Sequence, residues 1–179
     1  MSADTLEISC ILPPNEEPVD FDALDCDAVG TGINLVEDSE LSIKSPPQVV
    51  EIMGPETKLI FYPNCKRPLL AMHFKSMKRF MAFFITCVDE NKNKRNFEIS
   101  NKSSFVTIDD DTCKMPLEIE NGWQYVCLDL EELMGTAFGV SYMKCATVEV
   151  RGSCRLSKLF FQSQKYADIE LPKFLRVII

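Results

Sequence analysis

Histidine, tryptophan and long apolar runs are what this chain has least of. Of its 179 residues, one is histidine, one is tryptophan and seven are glycine. A catalytic serine or cysteine generally needs a general base beside it. His73, set in the apolar run Leu69-Leu70-Ala71-Met72-His73-Phe74, reads instead as a structural strand residue. No G-x-S-x-G, G-x-x-x-x-G-K-[ST] or G-x-G-x-x-G occurs. No apolar stretch reaches the roughly 18 residues of a spanning helix, because Lys78, Arg79 and Asp89 bracket the most hydrophobic region. The chain is expected to be neither an enzyme nor membrane-spanning.

Asp4 and Glu7 stand among the first ten residues where a secretory leader would carry positive charge, so no leader is expected. A reducing, cytosolic setting is expected. The eight cysteines are irregularly spaced, form no C-x-x-C and read as free thiols, with no metal site and no cofactor. Cys87 and Cys127 lie in strand-like apolar runs, as small hydrophobes do.

What the chain does have is a content of 46% hydrophobic and 26% charged residues, ordinary for a globular domain large enough to fold without staples. Its charge is unevenly placed. Residues 1–60 carry a net −11 and the remainder a net +3, within an overall −8. Residues 15–27 are acidic and poor in large aliphatics, too little apolar surface to offset their ordering entropy. Residues 1–45 are therefore predicted to form an acidic N-terminal arm and residues 46–179 a β-domain.

Short apolar runs separated by polar turns fill the second segment, the pattern of an all-β sandwich or barrel. Residues 49–53 and 59–62, around Gly54-Pro55, predict a hairpin. Residues 69–74 and 80–88 predict two longer strands. The polar run 89–94 followed by the alternating residues 95–99 predicts a second hairpin. Further strands are expected at 105–108, 117–119, 123–130, 143–151 and 155–161. A short helix is expected at 128–134, with Asp129 near its start and Gly135 at its end.

Candidate chemistry is sparse. Asp109-Asp110-Asp111 lacks EF-hand spacing and reads as a solvated turn, while Glu131-Glu132 decorates the helix. Trp123, after a glycine turn, reads as a core anchor. The basic residues Lys75, Lys78 and Arg79, near Lys66 and Arg67, form one cluster, and Lys92, Lys94 and Arg95 form another. Antiparallel pairing is expected to bring the two together as a patch for an acidic partner. A body charge of +3 is small for a dedicated nucleic-acid binder.

Several motifs in register resemble one family. They are Lys75-Ser76-Met77-Lys78-Arg79-Phe80, Val88-Asp89-Glu90-Asn91-Lys92, Arg95-Asn96-Phe97-Glu98-Ile99-Ser100-Asn101, Cys113-Lys114-Met115-Pro116-Leu117, Gly122-Trp123-Gln124, Ala137-Phe138-Gly139-Val140-Ser141-Tyr142, Cys154-Arg155-Leu156, Phe160-Phe161 and Glu170-Leu171-Pro172. Over about 130 residues this resembles the cilia- and flagella-associated protein 20 family. The resemblance implies an antiparallel β-sandwich of jelly-roll type with one or two short helices. It also implies a structural role in the ciliary axoneme at the inner junction of doublet microtubules, with tubulin, the parkin co-regulated protein or other axonemal proteins as partners.

The first 45 residues do not resemble the family's usual start, residues 54–68 look shortened, and the chain is acidic where ciliary members are basic. It reads as a divergent paralogue. A soluble jelly-roll module outside cilia, binding nucleic acid, carbohydrate or a regulatory protein, is the alternative, with the acidic segment lying over the basic face.

Overall fold

The computed structural model describes residues 6–177. Residues 1–5 and 178–179 lie outside it, so the acidic first segment enters from residue 6. Eleven strands and one α-helix follow in chain order. The strands are β1 (Ile8–Leu12), β2 (Cys26–Val29), β3 (Ile33–Glu37), β4 (Gln48–Ile52), β5 (Lys58–Phe61), β6 (Leu69–Asp89), β7 (Lys94–Ser100), β8 (Thr107–Asp109), β9 (Thr112–Pro116), β10 (Trp123–Asp129) and, after the helix α1 (Leu130–Phe138), β11 (Tyr142–Gln162).

The frame is made by β6 and β11, each 21 residues long and paired to each other almost throughout. On one half of this ribbon the order is β2-β5-β11-β6-β7-β9-β8. On the other half, β3 and β4 extend from β11, β1 also lies beside β11, and β10 lies beside β6. All pairs are antiparallel except β7 with β9. The two halves face each other. Phe74 and Phe83 belong to one strand and would be about 30 Å apart if it ran straight, yet their rings meet edge-on at 5.0 Å. Leu70, Met72 and Phe74 from the first half share one core with Phe83, Ile85 and Phe97 from the second.

The fold-back has a local cause. Ser76 pairs with Cys154 and Met81 with Gly152, so residues 77–80 bulge out of β6. A bulge both bends a strand and changes which alternate residues point inward. The positions that face the main core accordingly change from Leu70, Met72 and Phe74 to Met81, Phe83 and Ile85. Lys78 takes a left-handed φ of 58° in the bulge, and Gly152 opposite has φ 95°. Sequence patterning, which predicts two strands on each side of this point, sees the bend as a break.

Residues 49–53 and 59–62 do not form the expected hairpin. Strands β4 and β5 pair separately with β11, at residues 154–156 and 148–151, on either side of Gly152. Residues 117–119 are not a strand, and β8 begins only at Thr107. The second hairpin, by contrast, pairs residues 82–88 with 94–100. Its turn is organised by Asp89, fully buried, whose carboxylate accepts from the Asn91 and Asn93 backbone N–H groups and from Arg95.

The first segment is part of the sheet and not an extended arm. Strand β1 pairs with residues 159–162 of β11, β2 pairs with β5, and β3 pairs with β4. Leu12 and Leu24 are buried in the main core and Val19 and Phe21 pack against it; a compositional average over residues 15–27 hides the last three.

Helix α1 starts at Leu130, two residues later than expected, with the Asp129 carboxylate capping it by accepting from the Glu132 N–H at 3.0 Å. It runs past Gly135 and ends at Gly139, whose φ of 65° is the left-handed C-terminal cap. The apolar stripe explains the extra turn: Leu130 and Met134 are buried, and Phe138 meets Phe97 at 5.6 Å. Gly135 is thus a mid-helix glycine, and a Cβ there meets nothing within 4 Å. Gly135→Ala is expected to stabilise the fold by about 0.5–1 kcal/mol, read as a higher urea midpoint at unchanged slope; a lower midpoint would show that the helix needs a glycine there.

Candidate partner-binding surface

The six basic residues singled out in the sequence are separated by the fold. Lys75 is buried on β6, where its Nζ lies 2.6 Å from Asp38 and 3.3 Å from Glu40. Arg95 donates from Nε to Asp89 at 3.1 Å and from Nη1 to the Asp110 carbonyl at 3.0 Å, and its guanidinium covers the Phe138 ring. Both cations are already committed within the chain. Lys78, Arg79, Lys92 and Lys94 are exposed.

These four do not form one patch. Lys78 and Arg79 sit on the β6 bulge, next to the Ala82↔Ser100 pair, whereas Lys92 and Lys94 sit at the hairpin tip, next to Val88↔Lys94. Seven residue pairs separate the two sites, about 20 Å at the rise of a strand. Antiparallel pairing opposes the end of one strand to the start of the next, so residues before the strand and residues in its turn are driven apart.

The bulge is the better-built of the two sites. Asn101 braces it from below, donating from Nδ2 to the Arg79 carbonyl at 2.8 Å and accepting from the Met81 N–H at 3.1 Å. The Ser76 hydroxyl accepts from the Lys78 N–H. Lys102, absent from the sequence-based set, lies over the Phe80 ring at 4.5 Å. Its proximity was legible only through the pairing of residue 82 with residue 100.

A family model described as the CFA20 domain matches residues 21–179. The chain belongs to the CFA20 domain family. Among curated proteins, it is 29% identical over 133 residues to "Cilia- and flagella-associated protein 20" of Paramecium tetraurelia and 27% identical to the Chlamydomonas reinhardtii protein of that name. Each match covers 69% of this chain and 70% of the relative. Among solved structures, a family 11 carbohydrate-binding module from Clostridium thermocellum is similar with a TM-score of 0.42 at 9% identity, covering 83% of this chain and 95% of that one.

In this CFA20 domain a second polar constellation crosses the sheet. Glu51, Arg155, Lys75 and Trp123 stand side by side on β4, β11, β6 and β10. Asp38, 2% exposed, closes over the row and accepts from Arg155 at 2.8 Å and from Lys75, while Arg155 also donates to Glu51 at 2.8 Å. Burial alone would raise the Asp38 carboxyl; hydrogen bonds from Lys75 and Arg155, then from the Glu40 N–H, outweigh it and hold it at about 2. Of the basic face expected to lie under the acidic segment, Asp38 and Glu40 meet only Lys75, together with Arg155, while Lys78, Arg79, Lys92 and Lys94 stay exposed.

His73 lies beside this row. Its ring faces Trp123 at 4.9 Å and its Nδ1 is 2.6 Å from the Ser157 hydroxyl. Burial, with the nearby Lys158 charge, pushes the imidazole down to about 4, so it is neutral at pH 7. Among the described residues, no group of three or more His, Cys, Asp or Glu is arranged to hold a metal ion.

Proposed function

We propose that this CFA20 domain is a non-catalytic structural protein of the cilium or flagellum that docks on the acidic surface of tubulin through Lys78 and Arg79. The observation that carries this reading is the bulge itself: two adjacent exposed cations held in a fixed backbone by Asn101 and Ser76, on a rigid sandwich. Preorganised cations bind an acidic surface without first losing loop entropy. The relatives' name supports the ciliary setting. The doublet inner junction and the parkin co-regulated protein follow from the family resemblance as the location and neighbour. A non-catalytic role agrees with His73 being packed and neutral at pH 7, and with Asp89 being consumed by its turn.

Co-sedimentation of the full chain with stabilised microtubules tests this. Pelleting is expected to fall as salt rises. The double reversal Lys78→Glu/Arg79→Glu is expected to weaken binding about tenfold, equivalent to ~1.4 kcal/mol, with Lys92→Glu/Lys94→Glu close to wild type. Absence of pelleting at low salt, or loss only in the Lys92/Lys94 variant, would overturn the assignment.

A further inference from the structure

Strand β8 is the last strand of its half of the sheet, three residues long and exposed at every position. Just before it and within it stand Phe105, Val106 and Ile108, which are 76%, 57% and 50% exposed. Clustered apolar side chains on an unpaired edge invite another strand, and natural sheets usually guard such edges with charge or cover. The opposite end of the sheet is guarded. Strand β2 carries Asp27, with Asp25 just before it, and Tyr62 donates to Asp27 at 2.6 Å. At β8 the charges stand outside the apolar stretch and differ in sign, Lys102 on one flank and Asp109, Asp110 and Asp111 on the other.

That arrangement is complementary to itself. A two-fold axis perpendicular to a sheet pairs two copies of one edge strand antiparallel, so the leading flank of each meets the trailing flank of the other. With the axis at Val106, Val106 meets its own copy, Phe105 opposes Thr107, and Lys102 opposes Asp110 of the second copy. We propose that the β8 edge, from Lys102 to Asp111, is a homodimerisation surface at which two copies of this chain continue one antiparallel sheet. The N–H and C=O groups of residues 107–109, set against those of residues 103–105 of the second copy, supply the ladder, the three apolar side chains its centre, and the flanking charges its register. Apart from Lys102, which also lies over the Phe80 ring beside the bulge, this surface does not include Lys78 or Arg79, and its existence does not depend on the tubulin reading.

Sedimentation equilibrium of the full chain across the micromolar range is the test, with amide hydrogen exchange alongside. Wild type is expected to pass from monomer to dimer as concentration rises, with slower exchange at residues 107–109 in the dimer. Val106→Lys/Ile108→Lys is expected to remain monomeric while keeping the wild-type unfolding midpoint, since both side chains are exposed. Lys102→Glu and Asp110→Lys should each weaken the dimer, and their combination should restore it. Lys78→Glu/Arg79→Glu should leave dimerisation unchanged. A monomer at every concentration, which would assign the edge to a strand of another protein, or a dimer that survives Val106→Lys/Ile108→Lys would each overturn the proposal.

Discussion

Gly152→Ala is expected to cost about 4 kcal/mol or more. Two effects add. A φ of 95° is strained for any residue with a Cβ, and here the added methyl would lie 2.2 Å from the Phe80 carbonyl oxygen and 2.8 Å from the Met81 Cα. Both obstacles are backbone, so no side-chain rotation relieves them. Relief requires β11 to move away from β6 at the bulge, which separates the halves at the point where Phe74 meets Phe83. Denaturant unfolding monitored by Trp123 fluorescence checks this. A loss below about 1 kcal/mol would show that the bend tolerates a Cβ and that the fold-back has another cause.

The second large effect is at Asp38. Asp38→Ala leaves Lys75 and Arg155 under the sheet surface without their shared acceptor, and breaking a buried pair this way costs about 3–5 kcal/mol. Glu40 and Glu51 still reach one cation each, which places the expected loss near the lower end. The pH dependence separates this carboxylate from its surroundings. Held at about 2 against an ordinary 3.8, Asp38 stabilises the fold fully above pH 3.8, and that contribution is lost as pH falls through about 2. His73 acts earlier. Its imidazole is pushed from 6.5 down to about 4, so the unfolded chain takes up the proton first, and stability falls between pH 6.5 and 4.

Wild type should therefore lose stability in two steps on acidification, the upper one worth about 3 kcal/mol. His73→Gln should flatten the upper step and Asp38→Asn the lower. A single step retained in both variants would assign acid sensitivity to other groups.

These residues also show what was legible in the sequence. The hairpin of residues 82–88 and 94–100 was readable because its polar turn and alternating return strand are local signals. The family and the mostly antiparallel architecture were readable from motifs in register. Lys75 was placed among partner-binding cations because its acceptor Asp38 lies 37 positions away, and Arg155, which shares that acceptor, is 117 positions from it. No window along a chain contains such a pairing. The β-strands of the first segment were hidden for the same reason. Their partners lie in β4, β5 and β11, and composition alone describes residues 15–27 only as solvent-loving. The single basic patch failed because two clusters close in sequence are held at opposite ends of one hairpin.

The dependence of the sheet on β11 sets the order in which this protein can be made. Strands β1, β4, β5 and β6 all take a neighbour from residues 142–162, and β1 needs the last four of them. On a ribosome, the portions before residue 142 emerge as separate pieces, β2–β5, β3–β4 and β10–β6–β7–β9–β8, each lacking the β11 strand that joins them and covers their edges. Contacts this distant along the chain make for slow folding. Until the last long strand clears the exit tunnel, the nascent chain is a natural client for chaperones that shield unpaired strands.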